Sequence, residues 1–164
     1  MKIRNMEGSD CGGILAVASA WWGNTYSSDM FSKWYITHFR ETCLLAEEGG
    51  RMIGFVMGFM SQTNPDETYI RIVMVDPAYR GKGVGRALYE AFAERAVALE
   101  RSVIRCVTAP WNKESIAFHI SLGFIMEPQE QELEGIPVCI DYDGRGGGRV
   151  LFKKRLGVEQ RTVC

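Results

Sequence analysis

The stretch VDPAYRGKGVGRAL, residues 75–88, joins an apolar run to a helical pattern through three alternating glycines and three cations. The preceding run, ETYIRIVMV, has the apolar and β-branched composition of a strand, and apolar residues recur at helical spacing from Val84 to Glu100. The N-terminus of a helix has free backbone N–H groups and the positive end of the helix dipole. A strand, a glycine loop and a helix in this order predict an anion site, and phosphate is the expected ligand.

The spacing of the glycines narrows the kind of phosphate ligand. A P-loop requires Gly, four residues and then Gly-Lys-Ser/Thr, and this string does not occur in the chain. A dinucleotide site requires G-x-G-x-x-G and an acidic residue about 20 positions later. The spacing here is G-x-G-x-G, and the next apolar run ends in VTAP without an acid. The pattern therefore disfavours ATP or GTP hydrolysis, NAD binding and a nucleotide-binding regulatory domain.

Periodicity along the chain predicts an alternation of strands and helices. KIRNME reads as a short strand, SDCGGILAVASAWW as a capped helix, and TCLLAEEGGRMIGFVMGFMSQ as a hairpin. A second helix, capped by Asp29, would place Phe31, Trp34, Tyr35 and His38 on one face. ETYIRIVMVD and SVIRCVTA flank a helix, so these strands should be parallel neighbours. RVLFKKRL closes the chain, and residues 127–148 before it should form either a flap over the substrate or an extra hairpin.

Two segments carry a resemblance to a known family. Arg80, Gly83 and Gly85 match Arg/Gln-x-x-Gly-x-Gly/Ala, so the loop resembles the acyl-CoA signature of the GNAT superfamily of N-acetyltransferases. NKESIAFHISLGF, from Asn112, is similar to a second motif of that family, in which an Asn opens a helix that ends in Gly-Phe. The order of predicted elements also matches along nearly the whole chain. The resemblance implies an α/β (α+β) fold with a mixed central sheet flanked by helices, in a single domain over residues 1–164.

The resemblance also implies that acetyl-CoA, or a close acyl-CoA, is the acyl donor. Its pyrophosphate would lie over the loop at Arg80, Gly81, Lys82, Gly83, Val84, Gly85 and Arg86. Its pantetheine arm would bond to a strand that splays at a bulge, at Val73, Met74 and Val75, and would be lined by Asn112 and Ser115.

Two residues are candidates for proton transfer. His119 occupies the position at which the family commonly has a Tyr near the departing sulfur, so it is the candidate acid; regular helical spacing would put it on one polar stripe with Asn112 and Ser115. The family often has a Glu where this chain has Tyr69, and Glu67, two residues earlier on the same predicted face, is the candidate base. A water-relayed proton path, an already neutral amine and purely structural roles for these side chains stay open.

The implied reaction is acetyl transfer to a primary amine by direct attack, with no covalent enzyme intermediate and no metal. A small-molecule amine is the expected acceptor. Asp141 and Asp143, together with Glu67, are candidates for attracting a cationic amine, or the two Asp residues only turn the chain. Phe31, Trp34 and Tyr35 are expected in the core, and the candidates for the wall of the acceptor site are Trp21, Trp22 and Tyr26.

Composition disfavours several other classes of protein. Nineteen Lys and Arg against twenty Asp and Glu give no overall field that would attract nucleic acid or an anionic membrane. Five scattered cysteines fit neither a disulfide framework nor a zinc site, and with no signal-peptide pattern a cytoplasmic protein is expected. The longest apolar run, MIGFVMGFM, is about half of the ~20 residues that a membrane span needs. A homodimer is compatible with these features, and the alternative function is a CoA- or acyl-CoA-binding module without transfer activity.

Overall fold

The computed structural model describes residues 1–22 and 31–157. Within these ranges seven strands form one mixed sheet, and two further strands form a separate hairpin. The strands are β1 (Lys2–Asn5), β2 (Cys43–Glu48), β3 (Arg51–Met60), β4 (Glu67–Val75), β5 (Val103–Thr108), β6 (Ile125–Met126), β7 (Gln131–Leu133), β8 (Ile136–Val138) and β9 (Val150–Arg155). The helices are α1 (Asp10–Trp22), α2 (Lys33–His38), α3 (Val84–Ala98) and α4 (Lys113–Ser121).

The large sheet has the strand order β1-β2-β3-β4-β5-β9-β6. All neighbouring pairs are antiparallel except β4 and β5, which are joined through α3 and run parallel. The prediction that the strands on either side of α3 are parallel neighbours is therefore confirmed. The predicted mixed sheet flanked by helices is confirmed as well.

Each face of the sheet has its own apolar core. On one face Ile14 and Trp21 of α1 pack with Ile36 of α2 and with Phe55 of β3. On the other face α3 and α4 cover a cluster that is also lined by β9, and its largest buried members include Leu88, Phe92, Ile104 and Phe152. The sheet is therefore held between two pairs of helices, as the hydrophobic periods of its strands and helices require.

A bulge in β4 changes which side of the sheet its residues face. Ile70 and Ile72 pair with the consecutive β3 residues Gly58 and Met57, so β4 carries one extra residue, Arg71. Ile70 accordingly lies in the core under α3 and α4, whereas Ile72 lies in the core under α1 and α2. A regular strand would have placed both on the same face.

The strands β4 and β5 part from each other just before this bulge. Their pairing covers Glu67–Val103, Thr68–Ile104 and Tyr69–Arg105 and does not continue beyond the last pair. After that point β4 stays paired with β3, and β5 stays paired with β9 as far as Thr108. The large sheet is therefore split by a cleft that opens toward the loop after β4.

The second helix differs from its prediction. It begins at Lys33 after Ser32 as the N-cap, and Asp29, the predicted cap, lies outside the described residues. Tyr35 is buried as expected, but Trp34 is 60% exposed. The predicted helical face included Phe31, but this residue precedes the short helix. The buried residues of α2 are Tyr35 and Ile36.

The connection before β9 contains the extra hairpin, because β7 and β8 pair with each other. A loop then runs from Cys139 to Arg149, and these two residues close it with backbone hydrogen bonds of 2.9 and 3.0 Å. Among the described helices, none is long and apolar enough to cross a membrane.

Gly58, opposite the bulge, tests the packing of α3 on the sheet. A Cβ atom there would overlap the carbonyl oxygen of Tyr69 and lie 2.7 Å from Cζ of Phe92. We expect Gly58→Ala to lower the free energy of unfolding by about 1–3 kcal/mol, measured by urea unfolding, because the core has no room for the methyl group. Gly12→Ala on α1, where an added Cβ meets nothing within 4 Å, is the control and should not destabilise the protein. Equal effects of the two changes would contradict this packing.

Candidate functional site

The loop between β4 and α3 is anchored by a buried carboxylate. Asp76 is 4% exposed; its side chain accepts a hydrogen bond of 2.9 Å from the backbone N–H of Ala78 and lies 2.8 Å from Nη2 of Arg51. Its own N–H donates to the carbonyl of Ile53 at 2.9 Å. These contacts hold the start of the loop against β3. Asp76 was not among the predicted site residues, although Asp before Pro is a common turn signal.

The three glycines of the loop serve two purposes. Gly81 and Gly83 have φ of 72° and 83°, in the left-handed region that a side chain disfavours, and a Cβ at either would meet nothing within 4 Å. Their outer surface is therefore open to a ligand. A Cβ at Gly85 would lie 3.1 Å from Cζ of Phe118, so this glycine allows α3 to pack closely on α4.

The start of α3 presents a group of free backbone donors. In the described part of the chain, no hydrogen bond is made by the backbone N–H groups of Gly81, Gly83, Val84, Gly85 and Arg86. Lys82 and Arg86 lie beside them with exposed side chains. Free N–H groups, a helix N-terminus and two exposed cations together form a site for an anion of phosphate type.

Arg80 braces the loop from the other side. Its guanidinium donates from Nη2 to the carbonyl of Trp21 at 2.8 Å and from Nε to the carbonyl of Val75 at 3.4 Å. Part of its hydrogen-bonding capacity is therefore used to tie the loop to the end of α1.

The cleft between β4 and β5 exposes alternate backbone groups of β4. The N–H of Asp76 bonds to β3, and because N–H groups alternate sides along a strand, that of Met74 also points to β3. Those of Val73 and Val75 then point toward the cleft. Two of the three predicted backbone contacts are thus available. The side chain of Met74 is buried, at 5% exposure, in the core under α1 and α2, and its contact with the cofactor stays a prediction that this arrangement does not favour.

At the start of α4, Asn112 acts as an N-cap. Its side-chain oxygen accepts a hydrogen bond of 3.1 Å from the N–H of Ser115. This is the structural alternative considered for Asn112, and it places the residue at the turn after β5, on the other side of the cleft from the glycine loop.

His119 lies in the core and not on an open polar stripe. It is 5% exposed, and its ring stacks on Phe152 with the ring centres 4.8 Å apart. Nδ1 lies 2.7 Å from the carbonyl oxygen of Ser115 and must donate to it. Nε2 therefore accepts a hydrogen bond of 2.8 Å from the hydroxyl of Tyr89. Ser115 contacts both Asn112 and His119, at 3.1 and 3.3 Å, as the predicted stripe requires. The His119 end of this stripe is buried because α4 packs it against Tyr89 of α3 and Phe152 of β9.

Burial lowers the pKa of His119 below its ordinary value of 6.5, although the bond to Ser115 partly opposes this effect. The imidazole is therefore neutral at pH 7, and its one N–H is already donated to a carbonyl. The acid role stays a prediction that this arrangement does not favour.

Glu67 lies at the end of the cleft where β4 and β5 are still paired. Its Oε1 is 2.8 Å from Nε of Arg105, and the same guanidinium also pairs with Glu127. Burial raises the pKa of the neighbouring Tyr69 hydroxyl, as do its hydrogen bond to Tyr142 and the nearby Asp143. Tyr69 is therefore a neutral hydroxyl, and Glu67 is the carboxylate nearest to it along β4.

The other candidates for the acceptor site have clear placements. Trp21 is 8% exposed and stacks on Phe55, so it belongs to the core and is not a wall of the site. The side chain of Trp22 and all of Tyr26 lie outside what the structure describes. Asp141 accepts a hydrogen bond from the N–H of Gly146 at 2.6 Å, which makes it a turn residue.

A groove of about 660 Å³ lies elsewhere, between β1 and α3, with Arg4, Glu90 and Arg95 among its walls. The residues that line this groove include neither the glycine loop nor the cleft between β4 and β5. The groove is therefore not the candidate site for the cofactor, despite its volume. In residues 1–22 and 31–157, no three His, Cys, Asp or Glu side chains come together as metal ligands.

Comparison with known proteins agrees with this geometry. The sequence model of the acetyltransferase (GNAT) family matches residues 11–124. An L-2,4-diaminobutyric acid acetyltransferase of Nocardia farcinica is 33% identical over 100 residues, which are 61% of this chain and 51% of the relative. The enzyme of that name from Halalkalibacterium halodurans is 31% identical over 86 residues, 52% of this chain and 46% of the relative. The chain thus spans about half the length of the curated relatives it matches.

Solved structures share the fold. Ard1 from Thermoplasma volcanium superposes with a TM-score of 0.77 at 18% identity, covering 94% of this chain and 97% of its own. A structure of yncA from Salmonella typhimurium with its cofactor acetyl-CoA has a TM-score of 0.67 at 24% identity, covering 96% and 95%.

The buried state of His119 predicts a pH dependence of stability. Its folded pKa lies below 6.5, so the unfolded chain binds more protons, and stability present above pH 6.5 is lost as the pH falls through the folded pKa. We expect His119→Gln to lose less stability than the wild type between about pH 7.5 and pH 5 in urea unfolding. His38→Gln, at the other histidine, which is exposed on α2, is the matched control. The same change of slope in both variants would contradict the assignment.

Proposed function

The chain belongs to the acetyltransferase (GNAT) family, and from this premise we propose that it transfers the acetyl group of acetyl-CoA to a primary amine of a small-molecule acceptor. The observation that carries the proposal is the cleft between β4 and β5, with a glycine loop and the N-terminus of α3 at its mouth. A phosphate-binding loop beside split strands suits a ligand that has a pyrophosphate at one end and an extended arm.

The proposed binding of acetyl-CoA uses the free donors of the loop for the pyrophosphate. The N–H groups of Gly81, Gly83, Val84, Gly85 and Arg86 would bond to phosphate oxygens, and Lys82 and Arg86 would add charge. Arg80 would act mainly by holding the loop in place.

The extended arm would follow β4 into the cleft. A pantetheine chain carries amide groups, and the N–H groups of Val73 and Val75 point to where such an arm would lie. Asn112 and Ser115 would approach it from the start of α4, across the cleft.

The proposed reaction is a direct attack. The amine nitrogen forms a bond to the thioester carbonyl carbon, the carbon–sulfur bond breaks, CoA leaves as a thiolate, and the nitrogen loses a proton. Backbone N–H groups directed into the cleft would stabilise negative charge that develops on the carbonyl oxygen. Solvent is the proposed source of the proton that the thiolate takes up, since the N–H of His119 is committed to Ser115.

Most amines are protonated at pH 7, so a proton must leave before attack. Glu67 is the proposed base because it lies on β4 two residues before Tyr69, on the same side of the sheet. Its ion pair with Arg105 holds the carboxylate in place. A water-relayed proton path is the alternative to direct proton transfer to Glu67.

The acceptor is proposed to be a small cationic amine. Glu67, Asp143 and Glu127 lie around the inner end of the cleft, each held by an arginine. Relatives named as L-2,4-diaminobutyric acid acetyltransferases make this diamine the first acceptor to assay. We also propose that the protein acts in the cytoplasm; a homodimer stays a prediction for size-exclusion chromatography with light scattering.

The alternative is a CoA-binding module without transfer activity. The buried His119 would fit it, because the family's usual Tyr near the sulfur is then without a functional replacement. Binding of acetyl-CoA with no acetylated product from a broad panel of amines would favour this alternative.

Gly83→Glu should lower the affinity for acetyl-CoA at least about tenfold, measured by calorimetry. The new carboxylate would repel phosphate, and the left-handed backbone would be strained. Gly49→Glu is the matched control, because Gly49 has φ of 57° in the turn between β2 and β3, remote from the loop. Equal affinity in the Gly83 variant and the wild type would refute the proposed site.

Glu67→Gln tests whether Glu67 is the base that accepts the proton of the amine. Glu127→Gln is the matched control, because both carboxylates pair with Arg105. If Glu67 accepts the proton, its change to Gln should lower kcat by about 10²-fold or more. The Glu127 variant should retain kcat, and both should retain the KM for acetyl-CoA. An unchanged kcat in Glu67→Gln would remove Glu67 from the chemistry and leave the fold and the cofactor site standing.

A further inference from the structure

A second groove lies beside the proposed acceptor end of the cleft. It has a volume of about 330 Å³ and is formed between the turn after β5 and the β7–β8 hairpin with the loop that follows it. We name it the hairpin groove; its apolar walls include Trp111, Leu133, Val138 and Ile140. The volume is at the lower end of the range of small-molecule sites.

The walls of the hairpin groove are unusually exposed for apolar side chains. Trp111 is 77% exposed, Leu133 52% and Ile140 54%. Three large apolar residues from three separate segments that converge on one groove indicate a binding surface rather than scattered exposure.

This exposure does not come from a loosely held loop. The loop is closed at its ends by Cys139 and Arg149, and inside it Gly147 donates to the carbonyl of Gly144 at 2.8 Å. The hairpin also contacts α4, because Nζ of Lys113 lies 3.0 Å from Oε2 of Glu134. The groove is therefore preformed between fixed walls.

Two glycines, Gly146 and Gly148, are among the residues that line the groove. A Cβ at Gly148 would lie 3.1 Å from Cγ1 of Val138, another lining residue. A side chain at that position would crowd the groove wall.

The loop that lines the hairpin groove also contacts the inner end of the cleft. Arg149, which lines the groove, pairs with Asp143 at 2.7 Å, and the adjacent Tyr142 bonds to Tyr69 on β4. At the start of α4, Trp111 of the groove directly precedes Asn112, the cap of that helix. The groove is therefore linked by direct contacts to the strand that carries Tyr69.

We propose that the hairpin groove binds an aromatic or branched apolar group of the acceptor, so that amines carrying such a group are preferred over short polar amines. This inference rests on the proposed acetyl transfer and specifies its substrate class. Among the groove walls, Trp111 offers a flat surface on which a ring can stack. Trp111 is then a specificity-determining residue, and the preferred acceptor is more apolar than L-2,4-diaminobutyric acid.

The test compares two acceptors that differ only in a ring, 4-phenylbutylamine and butylamine, at saturating acetyl-CoA. In the wild type kcat/KM should be at least about tenfold higher for the phenyl compound, as expected for burial of a ring. Trp111→Ala should lower this ratio about fivefold or more and leave butylamine and the KM for acetyl-CoA unchanged. Trp34→Ala, at a 60% exposed Trp on α2, is the matched control and should leave the ratio unchanged.

Each other outcome has a defined meaning. The inference is overturned if the wild type has nearly the same kcat/KM for the two amines, or if the ratio of the two values in Trp111→Ala equals that of the wild type. It is also overturned if Trp111→Ala raises the KM for acetyl-CoA and leaves this ratio unchanged. Leu133→Ser replaces Trp111→Ala if the latter does not fold. If neither amine is acetylated, the broad panel of amines decides on the proposed function, and calorimetry with 4-phenylbutylamine decides on the groove: binding that Trp111→Ala removes supports it, and no binding overturns it.

Discussion

After the pair Tyr69–Arg105, β4 and β5 part, and the site depends on this separation. Each strand keeps a partner on its outer side, so the sheet loses only the hydrogen bonds across the cleft. The extra residue of β4, Arg71, follows directly after this point. Beyond it, the side chains of β4 that would have faced one side of the sheet face the other. Gly58 on β3 leaves room for Phe92 of α3 at the same level. Backbone groups that would normally close a sheet are thereby left available to a ligand.

The glycine loop turns this opening into a site for one kind of molecule. Asp76 fixes the start of the loop against β3, and Arg80 ties it to α1, so the free N–H groups have a fixed direction. Gly81 and Gly83 supply the left-handed turns, whereas Gly85 lets α4 approach. This arrangement suits the proposed ligand, with a phosphate at the mouth and an extended arm in the cleft.

Features with local signals could be predicted from the sequence. The loop, the cap at Asn112, the helix end at Gly123 and the parallel pair around α3 all depend on neighbouring residues or on one crossover rule. The burial of His119 could not be predicted, because it depends on how α3 and β9 pack on α4. The pair Glu67–Arg105 likewise requires the register of two strands separated by a helix. The resemblance implied a bulge in β4 at Val73–Val75, but its position at Arg71 has no signal in the sequence of the strand.

The most direct test of the central claim is a ¹⁵N NMR titration of the protein with acetyl-CoA. The account predicts that the largest shifts occur at the backbone amides of Gly81, Gly83, Val84 and Gly85, followed by those of Val73 and Val75 in the cleft. Met74, whose N–H points to β3, should shift less than its two neighbours. Unchanged loop amides, with shifts instead in the groove between β1 and α3, would contradict the account.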